Sequence, residues 1–398
     1  MYLLINAVGV IIFIAVAVLL SKDRQKINRR AVGSLLALNF LVAWFLTTFS
    51  VGRDIIQFAA AAFTYIINVS YVGIAFAFND WVNVPQMNFF VGALLPILLI
   101  VPVFDILSYV GIMSRFITIV SRALTFIIRT PKFETFFSIE MMFLGNTDSL
   151  AVSTFQLKAM PANRQLTLAM MSMSCVSASI VGAYIQMMPP EFVLTAIPLN
   201  IINALLVVNI LNPVDVPPSE DTIVDISANE NRDPFFAFLS ASIMKAGRLI
   251  FIICASVITF VALAALINKL LALINPSITL ESILGMIMFP CAWLMGLDST
   301  EAFQLAQYMG TKLITNEFVV MLEAQHQLPS MSTHMQAVTT VFVTSFANFS
   351  TVGMLIGFFN GLGNKDAAQF ISQNVQFMIA SGILVSLVSA GIAGLFVW

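Results

Sequence analysis

The sequence predicts an all-α polytopic membrane protein with about eight transmembrane helices, and three observations lead to this fold class. First, 59% of the 398 residues are hydrophobic and only 10% are charged, with a mean hydropathy of +0.95, so the chain has too few polar groups to cover a water-facing surface. Second, apolar runs long enough to cross a bilayer recur along the whole chain. Third, two of these apolar regions contain short polar clusters with a carboxylate. Because an ionisable group inside hydrocarbon must face protein or a water-filled cavity, each cluster marks a candidate functional site.

Composition and motifs also argue against several classes of protein. The longest polar stretch runs only over residues 212–233, which leaves no soluble domain, and the net charge of −2 gives no sign of nucleic-acid binding. The three cysteines lie within apolar runs, where core packing is the expected role. The chain contains no H-E-x-x-H or G-x-S-x-G motif, and both histidines lie in one loop. An intramembrane hydrolase and a resident metal or cofactor are therefore not expected.

Residues 1–112 are predicted to form N-terminal scaffold helices. A span over residues 2–20 leads into a loop with five Lys and Arg residues, so the positive-inside rule places this loop in the cytoplasm and the N-terminus outside. Residues 31–50 return to the outer face. Residues 55–79 are apolar enough to cross, but a crossing would put the arginines that follow the next span, residues 89–110, on the wrong side. We therefore expect a helix along the outer interface.

Residues 113–211 are predicted to form the first repeat of a transport domain, beginning with an amphipathic helix on the cytoplasmic surface. Residues 131–144 then cover only about 21 Å, short of a hydrocarbon core of roughly 30 Å. The chain breaks at Gly145-Asn146 and returns to basic residues, which indicates a re-entrant hairpin. Residues 165–188 span outward. Their middle is rich in small hydroxylated residues, which fits either close helix packing or a broken helix. The last span of the repeat returns to the cytoplasm.

Residues 212–278 are predicted to supply an acidic cytoplasmic linker and one more scaffold helix, and residues 279–398 to repeat the plan upside down. An interfacial helix is followed by a second hairpin, whose helix starts at Asp298 and breaks at Asn316-Glu317. Two final spans put the C-terminus outside. The topology places fifteen of the 18 Lys and Arg residues in the cytoplasm and three outside: Arg53, Lys269 and Lys312.

The two repeats carry polar residues at matching intervals. Asp148 precedes Ser177 by 29 residues, and Glu317 precedes Asn348 by 31 residues, so each hairpin tip is followed by a span with a polar middle. Hairpins that open to opposite faces, each followed by a discontinuous span, are typical of an inverted-repeat secondary transporter with its site near the midplane. The sequence therefore predicts that the two polar clusters face each other.

The chain contains the motifs FFSIEMMFLGNTD (136–148), TAIPLN (195–200), TNEFV (315–319) and SFANFSTVGM (345–354). These four motifs resemble the concentrative nucleoside transporters, especially the bacterial nucleoside permeases of the NupC type from Gram-positive organisms. The likeness covers essentially the whole chain. It implies a homotrimer that imports nucleosides across the cytoplasmic membrane by ion-coupled symport. It also implies eight transmembrane helices and two re-entrant hairpins, with a transport domain that moves like an elevator against a scaffold.

The same resemblance implies two groups of nucleoside-binding residues. An amide, a hydroxyl and a carboxylate at the first hairpin tip satisfy a base edge that carries both donors and acceptors, and an apolar residue forms a wall of the pocket. In the second group a carboxylate accepts from the ribose hydroxyls, with polar and aromatic neighbours. The base group is Gly145, Asn146, Thr147, Asp148 and Ile180. The ribose group is Glu317, Phe346, Asn348 and Thr351.

The first hairpin tip departs from the family pattern in the length of two side chains. Most members have glutamine and glutamate where this chain has Asn146 and Asp148, each one methylene shorter. The shorter side chains predict a roomier base pocket that favours purines.

A second departure concerns the coupling ion. Sodium-coupled members bind sodium at positions that correspond here to Met141, Leu144, Cys175 and Val176. A thioether and a thiol replace an asparagine and a serine, and sulfur is a poor ligand for a hard cation. We therefore expect proton coupling, with Glu317 or Asp148 as the carrier, because burial disfavours the charged form of a carboxyl group. Sodium coupling through backbone carbonyls is the alternative.

Two other functions remain open from the residues alone. Hairpins with polar tips also build channels, although the two tips carry different polar groups and not rings of repeated ones. A carrier for nucleobases alone would leave Glu317 and Asn348 without a role. The expected partners are a nucleoside, the lipid bilayer and two further copies of the chain, and nucleic acid is not among them.

Overall fold

The computed structural model describes residues 1–85, 87–128, 130–217, 220–222, 233–276, 278–361 and 365–398, without the side chains of Thr147 and Lys365. Throughout these ranges the regular secondary structure is helical, and no strand occurs in them. The predicted all-α class is confirmed.

The N-terminal helices follow the predicted order. Asn28 caps the second helix, because its side chain accepts a hydrogen bond of 3.1 Å from the backbone N–H of Ala31. A π-helical segment, Phe90–Leu94, leads into the fourth helix. The helices are α1 (Tyr2–Leu20), α2 (Arg29–Thr47), α3 (Ser50–Phe78), α4 (Ile97–Tyr109) and α5 (Ile112–Ile128).

The first hairpin turns at Gly145, as the sequence predicts. Gly145 has a φ of +87°, and a Cβ at this position would lie 2.9 Å from the Cβ of Ser177, so both the backbone conformation and the close packing require glycine. The following span is broken between Ser172 and Ala178, which decides between the two readings of its small-residue middle. The helices are α6 (Lys132–Leu144), α7 (Asn146–Val152), α8 (Thr154–Ala159), α9 (Ala162–Ser172), α10 (Ala178–Ile185) and α11 (Pro190–Leu211).

The second half repeats this plan. Asp298 caps the arm of the second hairpin, since its side chain accepts from the N–H groups of Thr300 and Glu301. The predicted last span, residues 370–398, is divided into a short helix and a long one. The helices are α12 (Phe235–Ala272), α13 (Leu280–Trp293), α14 (Ser299–Ile314), α15 (Glu317–Ala324), α16 (Thr333–Val343), α17 (Phe349–Gly361), α18 (Lys365–Gln373) and α19 (Val375–Gly394).

The two hairpins enter the helical bundle from opposite ends. At the base of hairpin 1 (α6 to α8), Arg164 forms a buried two-point ion pair with Glu134 at 2.6 and 2.9 Å and donates to the linker carbonyl of Glu220. Hairpin 2 (α14 and α15) starts beside the chain termini instead. There the ring nitrogens of His334 lie 2.8 Å from the carbonyl oxygens of Met295 and Val397. The opposite orientation of the hairpins is confirmed.

Seven helices of the described chain are long and apolar enough to cross a membrane. They include the helix over Ser50–Trp81, so its predicted placement along the outer interface stays a prediction. The two broken spans, α9 with α10 and α16 with α17, are each too short in their separate halves to cross alone. Together these segments describe a multi-pass membrane protein.

Candidate functional site

Each hairpin tip contacts the break in the helix that follows it. In the first repeat, Asn146 of the tip donates from Nδ2 to the carbonyl of Ser172 at 2.5 Å. In the second repeat, Asn348 of the break donates from Nδ2 to Glu317 Oε2 of the tip at 3.2 Å. The predicted interval from Glu317 to Asn348 is therefore a direct contact, whereas in the first repeat the tip bonds the break through Asn146 and Ser172, which are 26 residues apart.

The predicted ribose residues form one buried cluster around Glu317. Glu317 is only 3% exposed, and its Oε1 accepts from the hydroxyl of Tyr184 at 2.9 Å. The Oδ1 atom of Asn348 accepts from both the backbone N–H and the hydroxyl of Thr351, at 2.9 and 3.0 Å. Phe346 lies two residues before Asn348 in the same non-helical stretch and is half-buried. The cluster presents carboxylate and amide groups suited to hydroxyls.

Tyr184 is a member of this cluster that the sequence analysis did not include. It lies in α10, four residues after Ile180 and therefore on the same face of the helix, and its hydroxyl joins the first repeat to the second. Its ring also packs edge-on against Phe318 with centroids 5.2 Å apart. The sequence feature that could have identified Tyr184 is its position one helical turn after Ile180, a predicted pocket residue, together with its polar hydroxyl group.

The base residues are less tightly grouped. Asn146 is buried and turned toward the broken helix, and Ile180 is buried in α10. The side chain of Thr147 lies outside the described part of the structure. Asp148 forms an ion pair of 2.5 Å with Lys245 of α12. Lys245 is one of the fifteen basic residues that the topology places in the cytoplasm; α12 begins ten residues before it and carries Lys245 to the hairpin tip.

Lys312 corrects the predicted assignment of basic residues. It was expected outside, but its side chain is completely buried in α14, between the hairpin tip and the second break. The ammonium donates to the carbonyl of Phe342 and to the hydroxyl of Ser345, both at 2.5 Å. The positive-inside rule applies to basic residues that face water. It cannot identify a lysine whose ammonium forms its hydrogen bonds inside the helical bundle.

Backbone carbonyl groups at the ends of the broken helices accept hydrogen bonds from side chains in spans of the other repeat. Asn200 of α11 donates to the carbonyl of Thr344 at 2.5 Å, and Ser381 of α19 donates to the carbonyl of Met170 at 3.3 Å. A helix that ends inside a bilayer leaves carbonyls without partners, and these side chains supply them. Asn200 belongs to the TAIPLN motif, for which the sequence analysis assigned no role.

The four positions that the family resemblance assigns to a sodium site are apolar or sulfur-containing and mostly buried. The Met141 thioether accepts from the hydroxyl of Ser172 at 3.3 Å, and the Cys175 thiol lies 3.5 Å from the carbonyl of Met171. Val176 is buried and Leu144 is partly buried. The side chains at these positions therefore offer no oxygen ligand.

Glu140 is a second buried carboxylate that the sequence analysis did not assign. It lies in α6, is 4% exposed, and accepts from the hydroxyl of Ser153 at 3.3 Å. No ion pair to it occurs within 4 Å among the described side chains. In the sequence, Glu140 stands alone between apolar residues, whereas the polar residues of the hairpin tip are consecutive and are therefore easier to recognise as a site.

Comparison with known proteins shows the family. Residues 192–394 match the family described as Na+ dependent nucleoside transporter C-terminus, and residues 8–81 match the corresponding N-terminus. The purine nucleoside transport protein NupG of Bacillus subtilis is 44% identical over 398 residues, covering 100% of both chains. The nucleoside permease NupC of Helicobacter pylori is 24% identical and covers 99% of this chain and 98% of the relative.

The fold is also that of solved structures. The transporter CNTnw in an inward-facing substrate-bound state superposes with a TM-score of 0.92 at 26% identity, covering 100% of this chain and 98% of the other. A variant of CNTnw in an outward-facing state gives a TM-score of 0.91 at 24% identity over the same shares of the two chains. The sequence match over both halves and the shared fold show that this chain is not an enzyme but a membrane transporter that belongs to the concentrative, Na+ dependent nucleoside transporter family.

Proposed function

We propose that this protein imports purine nucleosides across the cytoplasmic membrane in symport with protons. The observation that carries the nucleoside assignment is the buried cluster of Glu317, Asn348 and Thr351 beside the hairpin 2 tip. A carboxylate and an amide at this depth fit ribose hydroxyls, and a carrier for nucleobases alone would have no use for them. A carrier, unlike a channel, would show saturable uptake against a concentration gradient.

The preference for purines rests on the hairpin 1 tip and on a relative. Asn146 and Asp148 are shorter than the glutamine and glutamate found in most of the family, which leaves more room for a two-ring base. The B. subtilis relative at 44% identity is named a purine nucleoside transport protein.

Lengthening both tip residues should shift selectivity toward pyrimidines. In the double variant Asn146→Gln, Asp148→Glu, we expect the ratio of adenosine to uridine uptake efficiency to fall about tenfold, since one methylene in a pocket is worth about 1–3 kcal/mol. Competition uptake into proteoliposomes measures the ratio, and Asp54→Glu at an exposed position is the control. Equal competition by cytidine and adenosine in the unchanged protein would contradict a purine pocket.

Proton coupling is supported by the sulfur side chains at Met141 and Cys175, which offer no oxygen to sodium. The candidate carriers are Glu317 and Asp148, and the structure adds Glu140. The Glu140 carboxyl is buried, and its hydrogen bond among the described residues is to the hydroxyl of Ser153, whereas Asp148 has an ammonium beside it. The family description as Na+ dependent keeps sodium as the alternative ion.

A transport assay with separated gradients decides the coupling ion. Proteoliposomes should accumulate radiolabelled adenosine under an inward proton gradient without sodium, and an uncoupler that collapses the gradient should abolish accumulation. The variant Glu140→Gln should lose accumulation but keep exchange of labelled for unlabelled adenosine if Glu140 carries the proton. Accumulation only under a sodium gradient at equal pH would overturn proton coupling while leaving nucleoside transport intact.

We further propose an elevator mechanism in a homotrimer. Residues 113–211 and 279–398 would form the moving transport domain, and residues 1–112 and 212–278 the scaffold. Solved structures of the same fold are described in inward-facing, intermediate and outward-facing states, which supports a moving domain. Both termini lie at the end opposite the linker, which supports an outside location for them if the basic loop after α1 is cytoplasmic.

A further inference from the structure

We propose that Lys245 of the scaffold competes with the nucleoside base for Asp148 and so promotes release of the substrate into the cytoplasm. This inference rests on the proposed function, because it requires a base bound at the hairpin 1 tip and movement of that hairpin along the scaffold. Nothing in the sequence motifs draws attention to Lys245, which lies in an apolar helix far from both hairpins in the chain.

The contacts of Lys245 join the two predicted domains. Its ammonium lies 2.5 Å from Asp148 Oδ2 in hairpin 1, and 3.4 and 3.5 Å from the two carboxylate oxygens of Asp105 in α4. Asp105 is held in turn by the hydroxyl of Ser242, which donates to it at 2.6 Å from the same helix as Lys245. Lys245 therefore has a permanent partner in the scaffold and a second partner on the hairpin.

The position of this contact along α12 is the observation from which we infer a cytoplasm-facing conformation. Lys245 is the eleventh residue of α12, so it lies about 15 Å from the linker end of a helix about 57 Å long. The hairpin tip is therefore displaced toward the end of α12 that follows the linker, which is the predicted cytoplasmic end. If the hairpin moves outward along α12, Lys245 stays with Asp105 and the pair with Asp148 breaks.

Electrostatics explain why such a pair would assist release. An ionised Asp148 is an acceptor only, and an N–H donor of a base would compete for Oδ2, the oxygen that Lys245 contacts. When the base leaves, the carboxylate would be left without a partner at membrane depth, which is costly. The ammonium replaces the lost donor in this conformation, and the free energy of the dissociated state is lowered.

Binding measurements on the full-length protein in detergent test this competition. For Lys245→Met, which keeps length and removes charge, we expect the Kd for adenosine to fall about three- to tenfold, the range for a partly exposed to moderately desolvated ion pair. The maximal rate of uptake should fall with it, because release becomes slower. Arg248→Met, one turn further along α12 and also exposed, is the matched control and should change neither quantity.

A second variant shows whether the effect passes through Asp148. In an Asp148→Asn background, Lys245→Met should leave the Kd unchanged, because an uncharged amide gives the ammonium little to compete for. Three outcomes would overturn the inference. The Kd of the single variant could be unchanged, or binding could weaken, which would make Lys245 a direct ligand of the base. The third outcome is an effect of Lys245→Met on the Kd that persists without the Asp148 charge. If the wild-type protein binds no nucleoside, the proposed function itself is wrong. This result is distinct from nucleoside binding that does not depend on Lys245, which would contradict only the inference about Lys245.

Discussion

Replacing Glu317 with glutamine should lower nucleoside uptake by at least about a hundredfold. The carboxylate accepts hydrogen bonds from Tyr184 and Asn348, and we propose that it also accepts from ribose. A glutamine side chain keeps one acceptor oxygen, and its NH2 group faces either the hydroxyl of Tyr184 or the amide of Asn348, both of which donate to Glu317. Hydrogen bonds to a charged group are worth about 1.5–3 kcal/mol each, so losing one of them, together with the charge that strengthens the others, accounts for a factor of that size.

Initial rates of adenosine uptake into proteoliposomes measure this effect, and thermal unfolding of the purified variant checks that it is folded. Glu323→Gln, six residues later in α15 and exposed, is the matched control. Exchange of labelled for unlabelled adenosine separates two roles of the carboxylate. Loss of accumulation with exchange preserved would identify Glu317 as the proton carrier instead of a ribose ligand, and undiminished uptake would contradict both roles.

Replacing Lys312 with methionine should destabilise the protein and reduce uptake at least about tenfold. The change leaves the carbonyl of Phe342 without its donor in a fully buried site, whereas Ser345 and Ser386 still bond each other at 2.7 Å. A buried acceptor without a partner costs about 1–3 kcal/mol, enough to shift the second break away from its geometry. The change also removes a positive charge that interacts electrostatically with Glu317.

The unfolding temperature and the uptake rate of Lys312→Met should both fall, while Lys269→Met, which removes an exposed lysine from the last turn of α12, should change neither. The double variant Lys312→Met, Glu317→Gln should be more stable than Lys312→Met alone, because it no longer buries an uncompensated negative charge. A Lys312→Met protein as stable and active as the wild type would show that the ammonium holds nothing essential in place.

Much of the architecture was predictable because a bilayer restricts what a chain can do. Only apolar runs can cross it, so composition and run length give the class, and a run too short to cross with a polar break at Gly145 predicts a hairpin. Carboxylates such as Glu317 are so costly in hydrocarbon that their presence alone marks a site. The interval in the second repeat was equally informative, since Glu317 and Asn348 share a direct hydrogen bond, whereas the first tip bonds its break through Asn146 and Ser172.

The partners of those polar groups were decided by the tertiary structure alone. Tyr184 reaches Glu317 across 133 positions of the chain, and Asn200 reaches the end of α16 across 144. In the sequence, Lys312 and Lys245 served only to assign the outer and cytoplasmic sides. In the folded protein, Lys312 donates to Ser345 of the second break and Lys245 pairs with Asp148 of hairpin 1. Residue spacing along one helix reports only neighbours within a turn or two. Where two repeats fold against each other, the low dielectric makes an unpaired polar group costly, and only the packing of the helices determines which partner such a group can reach.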